Sequence, residues 1–321
     1  MNIFAGYAPF IKDYIYKSGW QVLRAVQNAA GEAIFGSGDN VLIAASTASG
    51  KTEAAFFPIL TLLEENPPAS VGVLYIAPLK ALINDQFGRL NELCEEAGIP
   101  VYRWHGDVPQ TQKRKLLKKP EGILQITPES LESLMINKHC EITHLFCDLR
   151  FIVIDEIHSL LRGDRGMQTF CLIERLCRVA ECNPRRIGLS ATIGDPEAAG
   201  VFLSAGSGRK TVIPRFDGGK EVWRLSMEHF YNTDPQADSA DIPTEATVDE
   251  EAADTAPDKA DPGLGYIFEH TRGRKCLIFT NSREECESVC QNLRQYCEIK
   301  HEPDRFLIHH GNLSASYRES A

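Results

Sequence analysis

The 321-residue chain is 43% apolar and 24% charged, the balance of an ordinary globular protein long enough for two domains and a sizeable core. Its formal net charge of −10 argues against a surface that is basic throughout, and no apolar run nears the ~20 residues of a membrane span. The opening MNIFAGYAPFIKDYIYKSGW lacks a basic start followed by a continuous apolar stretch, so a cytoplasmic address is expected, with no membrane partner.

The ten cysteines include no C-x-x-C pair, which speaks against a zinc or iron–sulfur centre and suits reduced thiols packed as small hydrophobes. The acid is concentrated. Residues 234–262 hold ten carboxylates and one lysine, leaving −1 for the rest of the chain. That segment has too little apolar surface to offset the entropy of ordering it, and reads as a flexible acidic linker over 233–262.

In chain order, strands are expected at 40–45, 71–77, 101–104, 122–127, 151–154 and 186–190. Helices such as 51–65, 80–98 and 167–180 lie between them, and 222–231 reads as a closing strand. After the linker the rhythm resumes with a helix at 265–272, a strand at 275–280, a helix at 283–296 and a strand at 305–309. Short apolar strands alternating with amphipathic helices predict an α/β fold with a parallel sheet. The domains expected are 1–232, and 263–321 as the N-terminal part of a truncated second one.

The first strand runs into Ser46, Thr47, Ala48, Ser49, Gly50, Lys51 and Thr52, and then into a helix. Strand, loop and helix around A-x-x-x-x-G-K-T match a P-loop, with Ala45 where the generic motif has glycine. Such a loop cradles phosphates with backbone N–H groups, Lys51 supplies charge, and Thr52 reaches Mg²⁺. About a hundred residues on, the apolar strand 151–154 ends in Asp155 and Glu156, carboxylates placed to hold Mg²⁺ and to activate water respectively. A basic run, Lys113, Arg114, Lys115, Lys118 and Lys119, surrounds its helix and reads as a solvated face or as a phosphate contact. His309 and His310 lack a third metal ligand nearby.

Ser-Gly-Lys-Thr, Asp-Glu-Ile-His and Ser190-Ala191-Thr192 stand in the order seen in superfamily-two DExH/DEAD-box helicases. Ala77–Leu82, Trp104–Asp107, Thr127–Leu131 and the long form DEIHSLLRGDRG resemble the large helicase-related (Lhr-type) group. The resemblance spans 15–232 and resumes at 265–321. It implies a RecA-like P-loop NTPase fold that binds ATP and Mg²⁺ and couples hydrolysis to translocation and unwinding. Single-stranded or duplex nucleic acid is the implied partner, DNA ahead of RNA. Glu156 is then the catalytic base, Asp155 a Mg²⁺ ligand, and His158, Ser190 and Thr192 the couplers. Pro78, Lys80, Gly106, Asp107, Thr127, Pro128 and Glu129 are the implied nucleic-acid contacts. Trp20 and Gln27 are similar to a Q-motif that stacks on and reads adenine, although Arg24-Ala25-Val26 replaces the usual Pro-Thr; the same residues also read as an amphipathic helix with Gln27 facing water. The 321 residues stop before any glycine–arginine motif carrying arginine fingers, so little turnover is expected of them alone. A nucleic-acid-stimulated switch without unwinding, or a binding-only fragment, are the alternatives.

Overall fold

The computed structural model describes residues 3–46, 49–161, 163–191, 193–217, 224–230 and 261–309. Contacts divide the chain into two units, Met1–Lys220 and Glu221–Ala321. The first unit opens with helices α1 (Ile3–Gly6), α2 (Pro9–Lys17) and α3 (Ala25–Gly36). It continues as β1 (Asn40–Ala44), α4 (Lys51–Glu65), β2 (Val73–Ile76), α5 (Lys80–Glu95), β3 (Val101–Trp104), α6 (Gln110–Lys118), β4 (Ile123–Ile126), α7 (Pro128–Asn137) and α8 (Ile142–Phe146). Then come β5 (Phe151–Ile154), α9 (Ile157–Leu160), α10 (Asp164–Val179), β6 (Arg185–Ser190), α11 (Pro196–Ser204) and β7 (Thr211–Val212).

The seven strands form one sheet, order β3-β4-β2-β5-β6-β1-β7, and every pairing is parallel. Side chains alternate faces along each strand, and here both faces are covered. Val41, Ile43, Val73, Tyr75 and Val153 join one core with α2–α5. Leu42, Leu74, Ile76, Ile152 and Ile154 join the other with α7, α8, α10 and α11. Two-sided burial explains why these strands are continuous apolar runs rather than alternating ones. Phe56 and Phe57 of α4 are fully buried, each contributing about 1.5–3 kcal/mol by leaving water.

Helix starts follow local chemistry. Thr127 and Asp195 cap α7 and α11 by accepting from Ser130 N and Ala198 N, and Pro128 and Pro196 follow at the first helical position, where no N–H is needed.

The ladder trims the expected strands 71–77 and 122–127 at both ends and starts β6 one residue early. The strand expected at 222–231 is corrected for its described part. Residues 224–230 carry no ladder, with Leu225 and Met227 exposed; β7 instead lies beside β1. The two-residue β7 is too short for any periodicity to announce it.

The second unit contains α12 (Pro262–His270) and α13 (Arg283–Ile299). Phe268, Cys290, Leu293, Cys297 and Phe306 form its small core. Ser282 caps α13, its hydroxyl accepting from Glu285 N at 3.0 Å. The strands expected at 275–280 and 305–309 form no ladder, and Leu277 and Phe279 are exposed. A strand exists only through a partner, whereas a helix closes its own hydrogen bonds. The acidic segment lies almost wholly outside the described residues, as does the stretch from His310 on.

Gly166, in the first turn of α10, locks the segment after β5. A Cβ there would stand 1.6 Å from the carbonyl oxygen of Leu160 at the end of α9. Gly166→Ala therefore forces backbone apart, and overpacking of this kind costs typically about 1–3 kcal/mol. A thermal melt should show a clear drop in midpoint; an unchanged midpoint would mean that α9 and α10 separate without cost.

Candidate functional site

In open α/β sheets ligands bind beyond the carboxyl ends of the strands. The register brings Ala44 opposite Ser190 and Ile76 opposite Ile154, so the loops after β1, β2, β5 and β6 emerge at one edge. Gly50 turns the first loop into α4 with φ +86°, a left-handed conformation that glycine adopts at little cost. Lys51 opens α4, and its ammonium donates to the carbonyls of Ala45 at 2.7 Å and Ser46 at 2.8 Å. Burial lowers its pKa, against the pull of Glu156 and Asp155. Ser49, Gly50, Lys51, Thr52, Asp155 and Glu156 line one cleft of about 330 Å³, with Trp20 also on its wall. Thr47 and Ala48 lie outside the described residues.

Asp155 is 7% exposed. The Tyr75 hydroxyl donates to its Oδ2, and the Glu156 N–H donates to its Oδ1 at 2.9 Å. Burial nevertheless raises the Asp155 pKa, with Tyr75, Glu156 N–H, Lys51 and His158 offsetting part of that rise. Tyr75, one residue before the end of β2 in a continuous apolar strand, gave no functional signal in the sequence. Glu156 sits in the left-handed region at φ +47°, uncommon for a non-glycine residue. His158 Nδ1 lies 3.1 Å from Glu156 Oε2 and 3.2 Å from Ser190 Oγ. The histidine thus joins the loop after β5 to the end of β6. Thr192 lies outside the described residues.

Gln27 is fully buried, so the reading in which it faces water does not hold. Its Oε1 accepts from Arg24 N at 3.0 Å at the start of α3. Trp20 packs edge-on to Tyr14, with ring centroids 6.4 Å apart.

The remaining expected residues gather beyond β2, β3 and β4. Lys80 and Asp107 are exposed and paired at 3.2 Å, next to Gly106. Thr127 caps α7, Pro128 follows it, and Glu129 accepts from Arg165 Nε at 2.8 Å. Arg165 also donates to the carbonyl of Pro78. Burial would raise the Glu129 pKa, but the Arg165 guanidinium holds it below the ordinary value. Arg165 went unassigned in the sequence although it lies within DEIHSLLRGDRG. Only Leu116 of α6 is buried, so the basic run there is chiefly a solvated face, with Lys113 5.5 Å from the Trp104 ring.

Residues 24–199 match the profile of DEAD/DEAH box helicases. The chain belongs to the DEAD/DEAH box helicase family. It is 31% identical to the ATP-dependent helicase Lhr-Core of Sulfolobus acidocaldarius, over 94% of this chain and 34% of that protein. To the Lhr-Core of Methanothermobacter thermautotrophicus it is 32% identical, over 88% of this chain and 32% of that protein. The chain thus spans about a third of the length of these curated relatives. A solved Mycobacterium smegmatis helicase Lhr, bound to ssDNA and AMP-PNP, superposes with TM-score 0.75 at 26% identity, over all of this chain and 40% of that one. The parallel α/β unit of this family member is accordingly RecA-like.

Thr52 and Asp155 offer hard oxygen atoms of the kind Mg²⁺ takes, few in number and beside the loop that follows β1. The buried Asp155, whose charge is disfavoured, fits such a cation. Its raised pKa also makes a pH prediction. A carboxyl with a folded pKa above its unfolded value contributes stability at low pH and loses it as pH rises through the folded value. Asp155→Asn should therefore melt above the wild type at neutral pH, with the gap narrowing toward acid pH. A gap independent of pH would refute the burial account.

Proposed function

We propose that this chain is the ATP-binding motor portion of a nucleic-acid helicase, coupling hydrolysis to translocation along a strand and to unwinding. Residues 1–232 are read as the first RecA-like domain, 233–262 as a linker and 263–321 as the start of a second domain. The observation that carries the proposal is the convergence of Lys51, Asp155 and Glu156 on one cleft. His158 touches both Glu156 and Ser190 there.

Lys51 exchanges its bonds to the Ala45 and Ser46 carbonyls for the β/γ phosphates of ATP, beside the N–H groups at the start of α4. Thr52 and Asp155 hold Mg²⁺, which supplies positive charge to the phosphates when bound. Glu156 accepts a proton from the attacking water. A change in the charge of Glu156 is felt by His158 and so at Ser190, the route proposed for coupling. Pro78, Lys80, Gly106, Asp107 and the Thr127–Glu129 turn are proposed to hold a strand by its phosphates, with Lys80 supplying charge. Contacts of that kind position a strand without reading its sequence. DNA is favoured over RNA because the solved Lhr and the solved helicase MrfA, 30% identical over 65% of this chain, are bound to DNA.

Lys51→Ala should abolish measurable ATP binding in an equilibrium titration, since it removes the only side-chain cation proposed at the phosphates. Glu156→Gln should keep binding and lose hydrolysis; wild-type turnover in that variant rules out Glu156 as base. An arginine finger is worth about 10³–10⁵ in rate, and the 321 residues contain no glycine–arginine motif of that kind. Alone, they should bind Mg²⁺-ATP weakly, turn it over negligibly and fail to unwind a tailed duplex. Hydrolysis strongly stimulated by single-stranded DNA in these residues alone would show that the catalytic power resides within them.

A further inference from the structure

The end of α10 brings two cysteines together. After the cap residue Ala180, Glu181 takes the left-handed conformation at φ +52°, and the Cys182 N–H donates back to the Cys177 carbonyl at 3.0 Å. A left-handed residue after the cap, closed by such a bond, is a Schellman motif, and an apolar contact between its closing positions frequently accompanies it. Here both closing positions are cysteines. Each is half-buried and packs against the core made with α7, α8, α10 and α11. The N···O contact of 3.0 Å holds the two Cα atoms within about 7 Å by bond lengths alone, and a disulfide can bridge that span.

The two thiols are unequal. A side-chain hydrogen bond from Cys182 holds the Cys177 thiol below its ordinary pKa, against burial, and the Arg186 guanidinium acts in the same direction. The same bond raises the pKa of Cys182, and burial adds to the rise. Cys94 shows what burial does unaided, its thiol pushed up to about 12. One sulfur of the pair thus carries the charge while its neighbour keeps the proton, and the thiolate is the form that attacks.

We propose that Cys177 and Cys182 are a peroxide-reactive pair that closes reversibly to a disulfide, Cys177 attacking first. The Cys177 thiolate attacks one oxygen of hydrogen peroxide and the O–O bond breaks, leaving a sulfenic acid on Cys177 and a hydroxide. That hydroxide takes the Cys182 proton and leaves as water. The Cys182 thiolate then attacks the Cys177 sulfur, forming the S–S bond and expelling a second hydroxide, which is protonated to water. Two thiols are oxidised, and one peroxide is reduced to two waters. A small thiol reopens the bond by exchange. The closed form ties the last turn of α10 to the segment that leads into β6.

The test treats the folded 321-residue chain with stoichiometric hydrogen peroxide, alkylates the remaining thiols and digests with trypsin. Cleavage after Arg178 separates the two cysteines, so their disulfide is read as two peptides held together until reductant is added. The wild type should give this pair as its main crosslink, in severalfold higher yield than the same chain unfolded in urea. With a diketone that traps sulfenic acid, Cys182→Ala should be labelled at Cys177, and Cys177→Ala should carry no label at Cys182. A wild type that stays unlinked, a measurement that needs no variant to fold, overturns the proposal. So does a main crosslink to the exposed Cys147, equal yield from the unfolded chain, a label at Cys182, or a crosslink that reduced glutathione does not open.

Discussion

The structure depends on parallel strands held in register by burial on both faces. With Ala44 opposite Ser190 and Ile76 opposite Ile154, four loops far apart in the chain leave the sheet at one edge, those after β1 and β6 two residues further along than those after β2 and β5. A shift of one residue would turn every core side chain to the opposite face, so the packing of Val41, Leu42 and Ile43 against different helices also fixes where Lys51 and Asp155 meet. Placement of the chemistry is thus a by-product of core packing, and it is as rigid as that packing.

On this frame the charges are held under tension. Burial works against the ammonium of Lys51 and against the carboxylate of Asp155, and each partly compensates the other. Lys51 spends its donors on the carbonyls of its own loop. Phosphate oxygens would offer that ammonium a better partner, and a divalent cation would do the same for Asp155. The two disfavoured charges therefore point the same way: binding relieves penalties already built into the cleft.

The contacts beyond β2, β3 and β4 follow a different logic. Lys80 with Asp107, and Arg165 with Glu129, are exposed pairs, and exposed ion pairs are worth only ~0–1 kcal/mol. Such pairs open and re-form at little cost, so their basic members can be lent to a passing phosphate. The buried cleft proposed for the nucleotide and the solvated surface proposed for the strand thus differ in how firmly their charges are tied.

Sequence alone determined the elements whose signals are local. Continuous apolar runs announced the strands, and the G-K-T and Asp-Glu pairs stood where a strand gives way to a loop. Thr127, Asp195 and Ser282 cap helices through their own side chains. Tertiary structure alone decided what needs a distant partner. The short β7 became a strand because β1 lies beside it, whereas 275–280 pairs with no strand among the described residues. Tyr75 reached Asp155 from 80 residues away in the chain, Arg165 reached Pro78 across 87, and Glu53 found Arg89 one helix on. The physical reason is the same throughout: periodicity and caps are written over a few residues, but hydrogen bonds between strands and burial of charge are settled only when the chain has folded back on itself.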